Sequence, residues 1–310
     1  MKILFASPEW KKFKTPLRGA LLESGINHKL VFYDHSYYAE DIEFIIYSPD
    51  STLRDFAIFK NLKAVLSLWA GVDEILENNS LKKPLVRLID PGMKQGMLEW
   101  CATHVLRHHL SIDKYILNDK REWHLGVDPP LASERTIGIL GLGELGDTVA
   151  NTLVTLGFNV SGWAKSVKRE KLYNQLVGRS GFEEVLSSSD ILVLLLPLTP
   201  ETKFIINEHS LRLMKDNSVI LNAGRGKLIN DRHLLAALAQ GKISHATLDV
   251  FSEEPLPQDH PYWTNKNVTV SPHVAAPTRP ETAAHSIASN IKRMLSGESP
   301  VGLVKKQKFY

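Results

Sequence analysis

The stretch that decides the fold is 136–146, Thr-Ile-Gly-Ile-Leu-Gly-Leu-Gly-Glu-Leu-Gly. Its apolar start, 136–140, has the character of a β-strand, and 147–156 continues with apolar residues at helical period. Three glycines between the strand and the helix stand at the G-x-G-x-x-G spacing: Gly141, Gly143 and Gly146. A strand, this glycine spacing and a helix in that order are typical of a dinucleotide-binding turn.

Each of the three glycines is expected at its position for a different physical reason. Gly141 permits a tight turn, Gly143 lets the backbone approach a pyrophosphate, and Gly146 lets the helix close on the strand. The first helical amides, at Glu144 and Leu145, then face the phosphates. We therefore predict a dinucleotide cofactor here; the alternative is a glycine-rich turn with a structural role only.

The kind of nicotinamide cofactor depends on the end of the second predicted strand, 159–163, about 20 residues past the glycines. An NAD site has a carboxylate there, which binds the ribose 2′-hydroxyl. Between the end of this strand and Glu170 the chain has no acidic residue, and it carries cationic side chains and a hydroxyl instead. We predict a site for the 2′-phosphate of NADP(H), because charge-assisted hydrogen bonds contribute roughly 1.5–3 kcal/mol each. The predicted contacts are Trp163, Ala164, Lys165, Ser166 and Lys168, with Lys165 and Ser166 first; the alternative is a solvated basic helix start.

Composition limits the class of protein. The chain has 310 residues, 43% of them apolar and 23% charged, which suits two globular domains. The net charge is only +3, with scattered cations, so a nucleic-acid partner is not expected. The lone Cys101 indicates a reducing compartment. No apolar run reaches the length of a membrane span and the N-terminus has no signal-peptide pattern, so we expect a cytoplasmic protein without a membrane partner.

The first 95 residues alternate short apolar strands with helical stretches, which predicts a parallel α/β domain. The predicted strands are 2–6, 28–33, 43–47, 64–68 and 85–89, and the candidate helices are 17–24 and 52–60. After the fourth strand comes Trp69-Ala70-Gly71-Val72-Asp73, which leads into a predicted helix. The amides of Ala70, Gly71 and Val72 are candidates to hold a small carboxylate at the open end of the sheet. A plain strand-to-helix turn is the alternative.

A long helix is predicted over 97–117, where it carries the chain from one domain to the other. Three histidines lie on or near it, at His104, His108 and His109, but no third ligand is evident beside their i, i+4 pair, so no metal is predicted. Further strands are predicted at 191–196, 218–222, 245–250 and 268–271, with helices at 234–240 and 281–295.

Three strand-end loops of the second half each carry one reactive residue type: Arg225, Glu254 and His273. Hydride delivery to a ketone places negative charge on the carbonyl oxygen, so the site needs a proton donor and a fixed cation. His273 and Arg225 suit those roles. A carboxylate beside the imidazole would raise its pKa; Glu254 is the candidate, with adjacent Glu253 as a competitor.

Several motifs appear in the order found in D-2-hydroxyacid dehydrogenases, and the chain resembles that family over nearly its whole length. They are the glycine turn, Asn-Ala-Gly-Arg-Gly at 222–226, Leu-Asp-Val-Phe at 248–251 with Glu-Pro-Leu at 254–256, and Ser-Pro-His-Val-Ala-Ala at 271–276. More narrowly, Gly-Trp-Ala-Lys-Ser at 162–166 and Thr-Arg-Pro at 278–280 resemble its glyoxylate/hydroxypyruvate reductases.

This resemblance implies an α/β fold of two doubly wound parallel-sheet domains. A Rossmann nucleotide-binding domain, 99–274, is inserted into a flavodoxin-like substrate domain, 1–98 plus 275–310. It also implies a homodimer that reduces small 2-oxo acids, glyoxylate and hydroxypyruvate, to 2-hydroxy acids with NADPH.

The resemblance also implies roles for single residues. The arginine that matches Arg225 binds the substrate carboxylate and carbonyl, the histidine that matches His273 is the general acid, and the glutamate that matches Glu254 orients it. The aspartate that matches Asp249 positions the nicotinamide carboxamide. The further cofactor contacts expected are Leu196, Pro197, Asn222, Ala223, Gly224, His273 and Ala275.

Two departures from the family lie at the expected substrate end. Trp69 stands where the family more often has glycine, and Tyr47-Ser48-Pro49 stands where the reductases tend to have Trp-His-Pro. Tyr47 and Trp69 are therefore expected substrate contacts, and the preferred 2-oxo acid stays open. Two other functions also stay open: a cofactor-sensing protein resembling the corepressors built on this fold, and NAD-dependent oxidation of a D-hydroxy acid.

Overall fold

A computed structural model describes residues 1–33, 35–118, 121–123, 128–166 and 171–305. The chain divides into two compact units, which we call the terminal unit, Met1–Met93 with Thr278–Tyr310, and the central unit, Lys94–Pro277. Within the described ranges, no helix is long and apolar enough to cross a membrane. The predicted domains, 1–98 with 275–310 and 99–274, and their roles as substrate and cofactor domains stay predictions.

The strands and helices are numbered in chain order. The strands are β1 (Lys2–Ala6), β2 (Lys29–Phe32), β3 (Ile42–Tyr47), β4 (Ala64–Ser67), β5 (Leu85–Val86), β6 (Thr136–Leu140), β7 (Asn159–Trp163), β8 (Asn174–Leu176), β9 (Ile191–Leu194), β10 (Ser218–Asn222), β11 (Ile243–Leu248) and β12 (Val268–Val270). The helices are α1 (Trp10–Glu23), α2 (Asp73–Leu76), α3 (Pro91–His109), α4 (Ile112–Ile116), α5 (Glu144–Thr155), α6 (Gly178–Ser188), α7 (Glu208–Leu213), α8 (Asp231–Ala239) and α9 (Pro280–Leu295).

The terminal unit is built on a parallel sheet with the order β2-β1-β3-β4-β5. The three middle strands are almost entirely buried, which explains why most of their residues are apolar. Helix α1 packs against α9, which comes from the other end of the sequence. The unit therefore joins both ends of the chain in one fold.

The central unit is built on a parallel sheet with the order β12-β11-β10-β9-β6-β7-β8. The chain leaves β6 towards β7 and returns to β9 on the other side of β6, so the strand order reverses between β6 and β9. In such sheets, ligands bind outside the carboxyl ends of the strands at this reversal. Two parallel-sheet α/β domains are thus confirmed as the fold class.

The predicted helix at 52–60 was wrong, because these residues form turns without a helix. Their apolar side chains still pack into the core of the terminal unit, among them Phe56 and Phe59. Side chains from another loop satisfy the backbone: Ser80 Oγ accepts from Phe56 N at 2.9 Å, and Asn78 Nδ2 donates to the Arg54 carbonyl at 2.6 Å. These bonds replace the ones that a helix would supply.

The predicted helix over 97–117 was also wrong in its extent. Helix α3 begins at Pro91 and ends at His109, and α4 follows as a separate short helix. Ser111 between them has a φ of 53°, a left-handed conformation that ends a right-handed helix. The edge strand β8 was not predicted, because its Asn-Gln-Leu sequence has no apolar run.

Two histidines join helix α3 to strand β11 of the central unit. The rings of His108 and His245 lie 4.9 Å apart between centroids. His108 Nε2 bonds Thr247 Oγ1 at 2.9 Å, and His245 Nε2 bonds Thr269 Oγ1 at 2.8 Å. Burial, reinforced by nearby positive charges, lowers the pKa of His108 to about 3 and that of His245 to about 4. Both imidazoles are therefore neutral in the folded protein near neutral pH.

These low pKa values make the fold sensitive to acid. The unfolded chain restores a histidine pKa near 6.5 and binds protons that the folded chain excludes. The stability that depends on the neutral pair is complete above pH 6.5. It falls between pH 6.5 and about 4 for His245 and between pH 6.5 and about 3 for His108, by up to about 1.4 kcal/mol per pH unit for each histidine. We expect the urea midpoint to drop between pH 7.5 and pH 5, and the drop to be smaller in His108→Gln. His209→Gln, at an exposed position, is the control; an unchanged drop in His108→Gln would contradict the assignment.

Candidate active site

The glycine turn after β6 brings three backbone segments into close contact. Gly141 has a φ of 108°, and a Cβ there would lie 2.7 Å from the Leu195 carbonyl, in the loop after β9. A Cβ on Gly146 would overlap the Gly141 carbonyl oxygen. A Cβ on Gly143, by contrast, would meet no described atom within 4 Å. The packing thus requires glycine at the first and third positions, while the middle one leaves the backbone open to a ligand.

The expected 2′-phosphate contacts lie at the end of β7. Trp163 Nε1 donates to the Gly178 carbonyl at 2.8 Å, and Ala164 N donates to the Leu176 carbonyl at 3.1 Å, so the neighbouring β8 segment fixes this end. The side chains of Lys165 and Ser166 are exposed. Lys168 lies outside the described residues.

An acid that the sequence analysis did not consider lies beside Lys165. Its Nζ is 4.0 Å from Glu201 Oε2, and both side chains are exposed. A hydrogen bond from Thr199 Oγ1, 2.7 Å long, is the main cause that lowers the pKa of Glu201. The Thr-Pro-Glu-Thr segment at 199–202 was visible in the sequence, but nothing local placed it beside Lys165.

The loops after β9 and β10 also lie at the reversal of the strand order. Pro197 accepts a hydrogen bond from Thr202 Oγ1 at 2.7 Å, and Leu196 is buried. A Cβ on Gly224 would lie 2.9 Å from the Leu196 carbonyl oxygen, so these two loops touch. Asn222 shapes its own loop, since Oδ1 accepts from Gly224 N at 3.1 Å and Nδ2 donates to the Arg225 carbonyl at 3.0 Å. Ala223 is held to β9 by a bond from its N to the Leu194 carbonyl.

His273 and Glu254 form the central pair of the site. His273 Nδ1 lies 2.7 Å from Glu254 Oε2, and Glu254 Oε1 accepts from Phe251 N at 2.9 Å. The carboxylate that pairs with the imidazole is therefore that of Glu254 and not that of the competing candidate, Glu253.

The charges around this pair set its protonation. The hydrogen bond to Glu254 is the main cause that raises the pKa of His273, against the opposing effects of burial and of the Arg225 charge. Burial alone would raise the pKa of Glu254, but the hydrogen bonds from His273 and Phe251 N, together with the His273 and Arg225 charges, lower it. The carboxylate stays ionised, and the imidazole holds its proton to higher pH than a free histidine does.

Asp249 holds the loop that carries His273. Its side chain is only 1% exposed. The carboxylate accepts hydrogen bonds from Ser271 Oγ at 2.6 Å, Val274 N at 3.0 Å and Ala275 N at 2.9 Å. Its backbone carbonyl accepts from His273 N at 2.8 Å. This bracing was not predicted; the contact of Asp249 with a nicotinamide carboxamide stays a prediction.

The candidate substrate loop belongs to the terminal unit. Leu68 N donates to the Tyr47 carbonyl at 2.8 Å, and the Leu68 carbonyl accepts from Thr278 Oγ1 at 2.7 Å. Trp69 is exposed, whereas Val72 is buried and precedes α2. Ala70 and Gly71 are partly exposed between them. The loop is thus tied at its base, and Trp69 turns outwards.

Tyr47 is buried at the end of β3. Burial is the main cause that raises the pKa of its phenol, while the nearby Arg54 guanidinium acts in the opposite direction. Arg54 was missed in the sequence analysis, because it lies in the segment predicted as a helix.

An ordered imidazole, carboxylate and guanidinium after successive strands of a nucleotide-binding sheet define an oxidoreductase site. A family model for D-isomer specific 2-hydroxyacid dehydrogenases, NAD binding domain, matches residues 100–275. Glyoxylate/hydroxypyruvate reductase A of Serratia proteamaculans is 41% identical over 251 residues, which cover 78% of this chain and 80% of that protein. The Yersinia enterocolitica protein of the same name is 39% identical over 250 residues, with 78% and 80% covered.

Solved structures agree with the sequence comparison. A D-isomer specific 2-hydroxyacid dehydrogenase from Xanthobacter autotrophicus Py2, in complex with NADPH and MES, superposes with a TM-score of 0.92 at 34% identity, covering 100% of this chain and 99% of that one. The NADPH-dependent glyoxylate/hydroxypyruvate reductase of Sinorhizobium meliloti, with NADP and sulfate, gives 0.89 at 30% identity with the same coverage. The chain belongs to the D-isomer specific 2-hydroxyacid dehydrogenase family, and the resemblance found in its motifs is confirmed.

The pairing of His273 with Glu254 is open to direct measurement. Glu254→Gln removes the negative charge and the strong acceptor that favour the protonated imidazole, so we expect the midpoint of the His273 titration, followed by NMR, to move to lower pH. Glu253→Gln is the matched control and should leave the midpoint in place. If the control lowered the midpoint and Glu254→Gln did not, the carboxylate would be wrongly assigned.

Proposed function

We propose that this protein is an NADP-dependent 2-hydroxyacid dehydrogenase that reduces small 2-oxo acids, glyoxylate and hydroxypyruvate, to 2-hydroxy acids. The observation that carries the proposal is the His273–Glu254 pair, 2.7 Å apart and within the field of the Arg225 charge, on a nucleotide-binding sheet. It is supported by relatives that are named as glyoxylate/hydroxypyruvate reductases and by similar structures that contain NADPH or NADP.

The residues of the central unit fit a dinucleotide. Gly143 leaves the backbone open where a pyrophosphate binds in such turns, and the N-terminus of α5 follows directly. Lys165 and Ser166 would bind the 2′-phosphate, with Lys168 behind them. When bound, NADPH supplies the hydride. Cofactor contacts from Leu196, Pro197, Asn222, Ala223, Gly224, Asp249 and Ala275 belong to this proposal.

The chain's own residues then manage charge and the proton. Arg225 binds the carboxylate of the 2-oxo acid and stabilises the negative charge that develops on its carbonyl oxygen. The imidazolium of His273 donates the proton from Nε2 to that oxygen, since Nδ1 faces Glu254. Glu254 stays ionised and stabilises the imidazolium before transfer. Tyr47, Trp69 and the amides of Ala70, Gly71 and Val72 are the proposed substrate contacts of the terminal unit.

We also propose that this protein forms a homodimer and that it is located in the cytoplasm. Large apolar side chains that face solvent recur along the segment after α3, at Tyr115, Ile116, Leu117, Trp123 and Leu131, and Trp123 is 91% exposed. Exposed apolar residues gathered in one segment are typical of an interface between chains. The lone Cys101, which is buried, suits a reducing compartment.

The first experiment follows the oxidation of NADPH and of NADH in parallel, with glyoxylate, hydroxypyruvate, pyruvate and phenylpyruvate as acceptors. We expect a strong preference for NADPH with glyoxylate or hydroxypyruvate, and a loss of at least about 10²-fold in turnover for His273→Gln with NADPH binding nearly intact. Binding of NADPH without turnover of any acceptor would favour the cofactor-sensing alternative. A preference for NADH over NADPH, together with oxidation of a hydroxy acid by NAD, would favour the alternative of an NAD-dependent D-hydroxy acid dehydrogenase.

The preference for NADPH is expected to depend on Lys165. Lys165→Ala removes one charge-assisted hydrogen bond to the 2′-phosphate, so the Kd for NADPH should rise about tenfold or more while the Kd for NADH hardly changes. Lys242→Ala is the control, because Lys242 is also an ion-paired lysine of the central unit, bonded to Asp216 at 2.8 Å. An equal loss of affinity for both cofactors would refute the phosphate contact.

A further inference from the structure

We propose that Trp100 is a positioning residue for His273, acting through the hydroxyl of Ser271 and the carboxylate of Asp249. The proposal rests on the proposed function, in which His273 is the proton donor. Trp100 lies on helix α3, 171 residues before Ser271 in the sequence.

A directed chain of hydrogen bonds connects these residues. Trp100 Nε1 donates to Ser271 Oγ at 3.3 Å, and Ser271 Oγ donates to Asp249 Oδ1 at 2.6 Å. The indole N–H can only donate and the carboxylate can only accept, so the serine hydroxyl has one possible orientation between them. The tryptophan therefore selects the rotamer in which Ser271 binds Asp249.

Asp249 in turn determines the backbone on both sides of His273. Its carboxylate accepts from Val274 N and Ala275 N, and its carbonyl accepts from His273 N. His273 has a φ of 54°, which a non-glycine residue keeps only when the surrounding contacts impose it. The Asp249 bonds are such contacts, so a change in the aspartate moves the imidazole relative to Glu254.

Trp100 is itself held in place. Its ring packs against His104 at 4.5 Å between centroids, one turn further along α3. Another turn along, His108 bonds Thr247 Oγ1 on β11, the strand that leads directly to Asp249. Helix α3 therefore contacts the loop after β12 through Trp100 and strand β11 through His108, so the position of the indole does not depend on its bond to Ser271 alone.

The test uses four single variants of the full-length protein and the double variant that combines Trp100→Phe with Ser271→Ala. Trp100→Phe keeps an aromatic ring and removes the donor, Ser271→Ala removes the link, and Ser271→Thr keeps the hydroxyl. Trp263→Phe is the matched control, because its indole N–H also bonds an acceptor of the central unit, the Pro257 carbonyl at 2.9 Å. The readouts are kcat as a function of pH and the NMR titration of His273.

We expect Trp100→Phe and Ser271→Ala each to lower kcat about threefold to tenfold, the effect of one neutral hydrogen bond. The alkaline limb of the kcat profile and the His273 midpoint should move to lower pH, because the bond to Glu254 that favours the protonated imidazole is weakened. The double variant should be no worse than the poorer single variant, since both act on one chain of bonds. The kcat profile and the His273 midpoint of Ser271→Thr and of Trp263→Phe should stay close to those of the wild type.

An unchanged pH profile in both Trp100→Phe and Ser271→Ala would overturn the proposal, and so would additive losses in the double variant. A loss of thermal stability with the profile in place would show a purely structural role and would equally overturn it. Failure of the proposed function looks different: turnover would then survive in His273→Gln itself.

Discussion

The buried carboxylate of Asp249 is the constraint on which the arrangement of the site depends. A charge that is 1% exposed is costly unless hydrogen bonds compensate it, and here the compensating donors all belong to the loop that carries His273. The loop is therefore folded around the aspartate. The left-handed backbone of His273 follows from this arrangement, and so does the approach of its ring to Glu254.

Close backbone contacts at the carboxyl ends of the central strands have a similar effect. Gly141 lies against the loop after β9, Gly224 touches the same loop, and a Cβ on Gly226 would overlap the backbone of Phe251. Side chains are excluded at these points, so the loops after β6, β9, β10 and β11 converge. This convergence places the glycine turn, the arginine and Glu254, the partner of the His273 imidazole, at one edge of one sheet.

The charged groups at the two ends of the proposed cofactor site interact differently with their surroundings. At the catalytic end, hydrogen bonds hold the Glu254 carboxylate and the His273 imidazole in place, although both residues are exposed. At the other end, Lys165 and Glu201 are exposed and 4.0 Å apart, and solvent screens their interaction to a small value. The exposed Lys165 side chain is therefore accessible from solvent in spite of the acid beside it, as the proposed contact with a 2′-phosphate requires.

The features that depend on neighbouring residues could be predicted from the amino-acid sequence. The glycine spacing, the apolar runs of the parallel strands and the order of the catalytic motifs are local patterns, and they predicted the fold class, the family and the loops that carry Arg225 and His273. Which groups meet across long separations in the sequence became visible in the folded chain. It paired Glu254, and not Glu253, with the imidazole, brought Trp100 to the loop after β12, and turned 52–60 from a predicted helix into turns. Such contacts depend on how helices and strands pack and on which side chains satisfy each backbone group, and a local pattern does not contain that information.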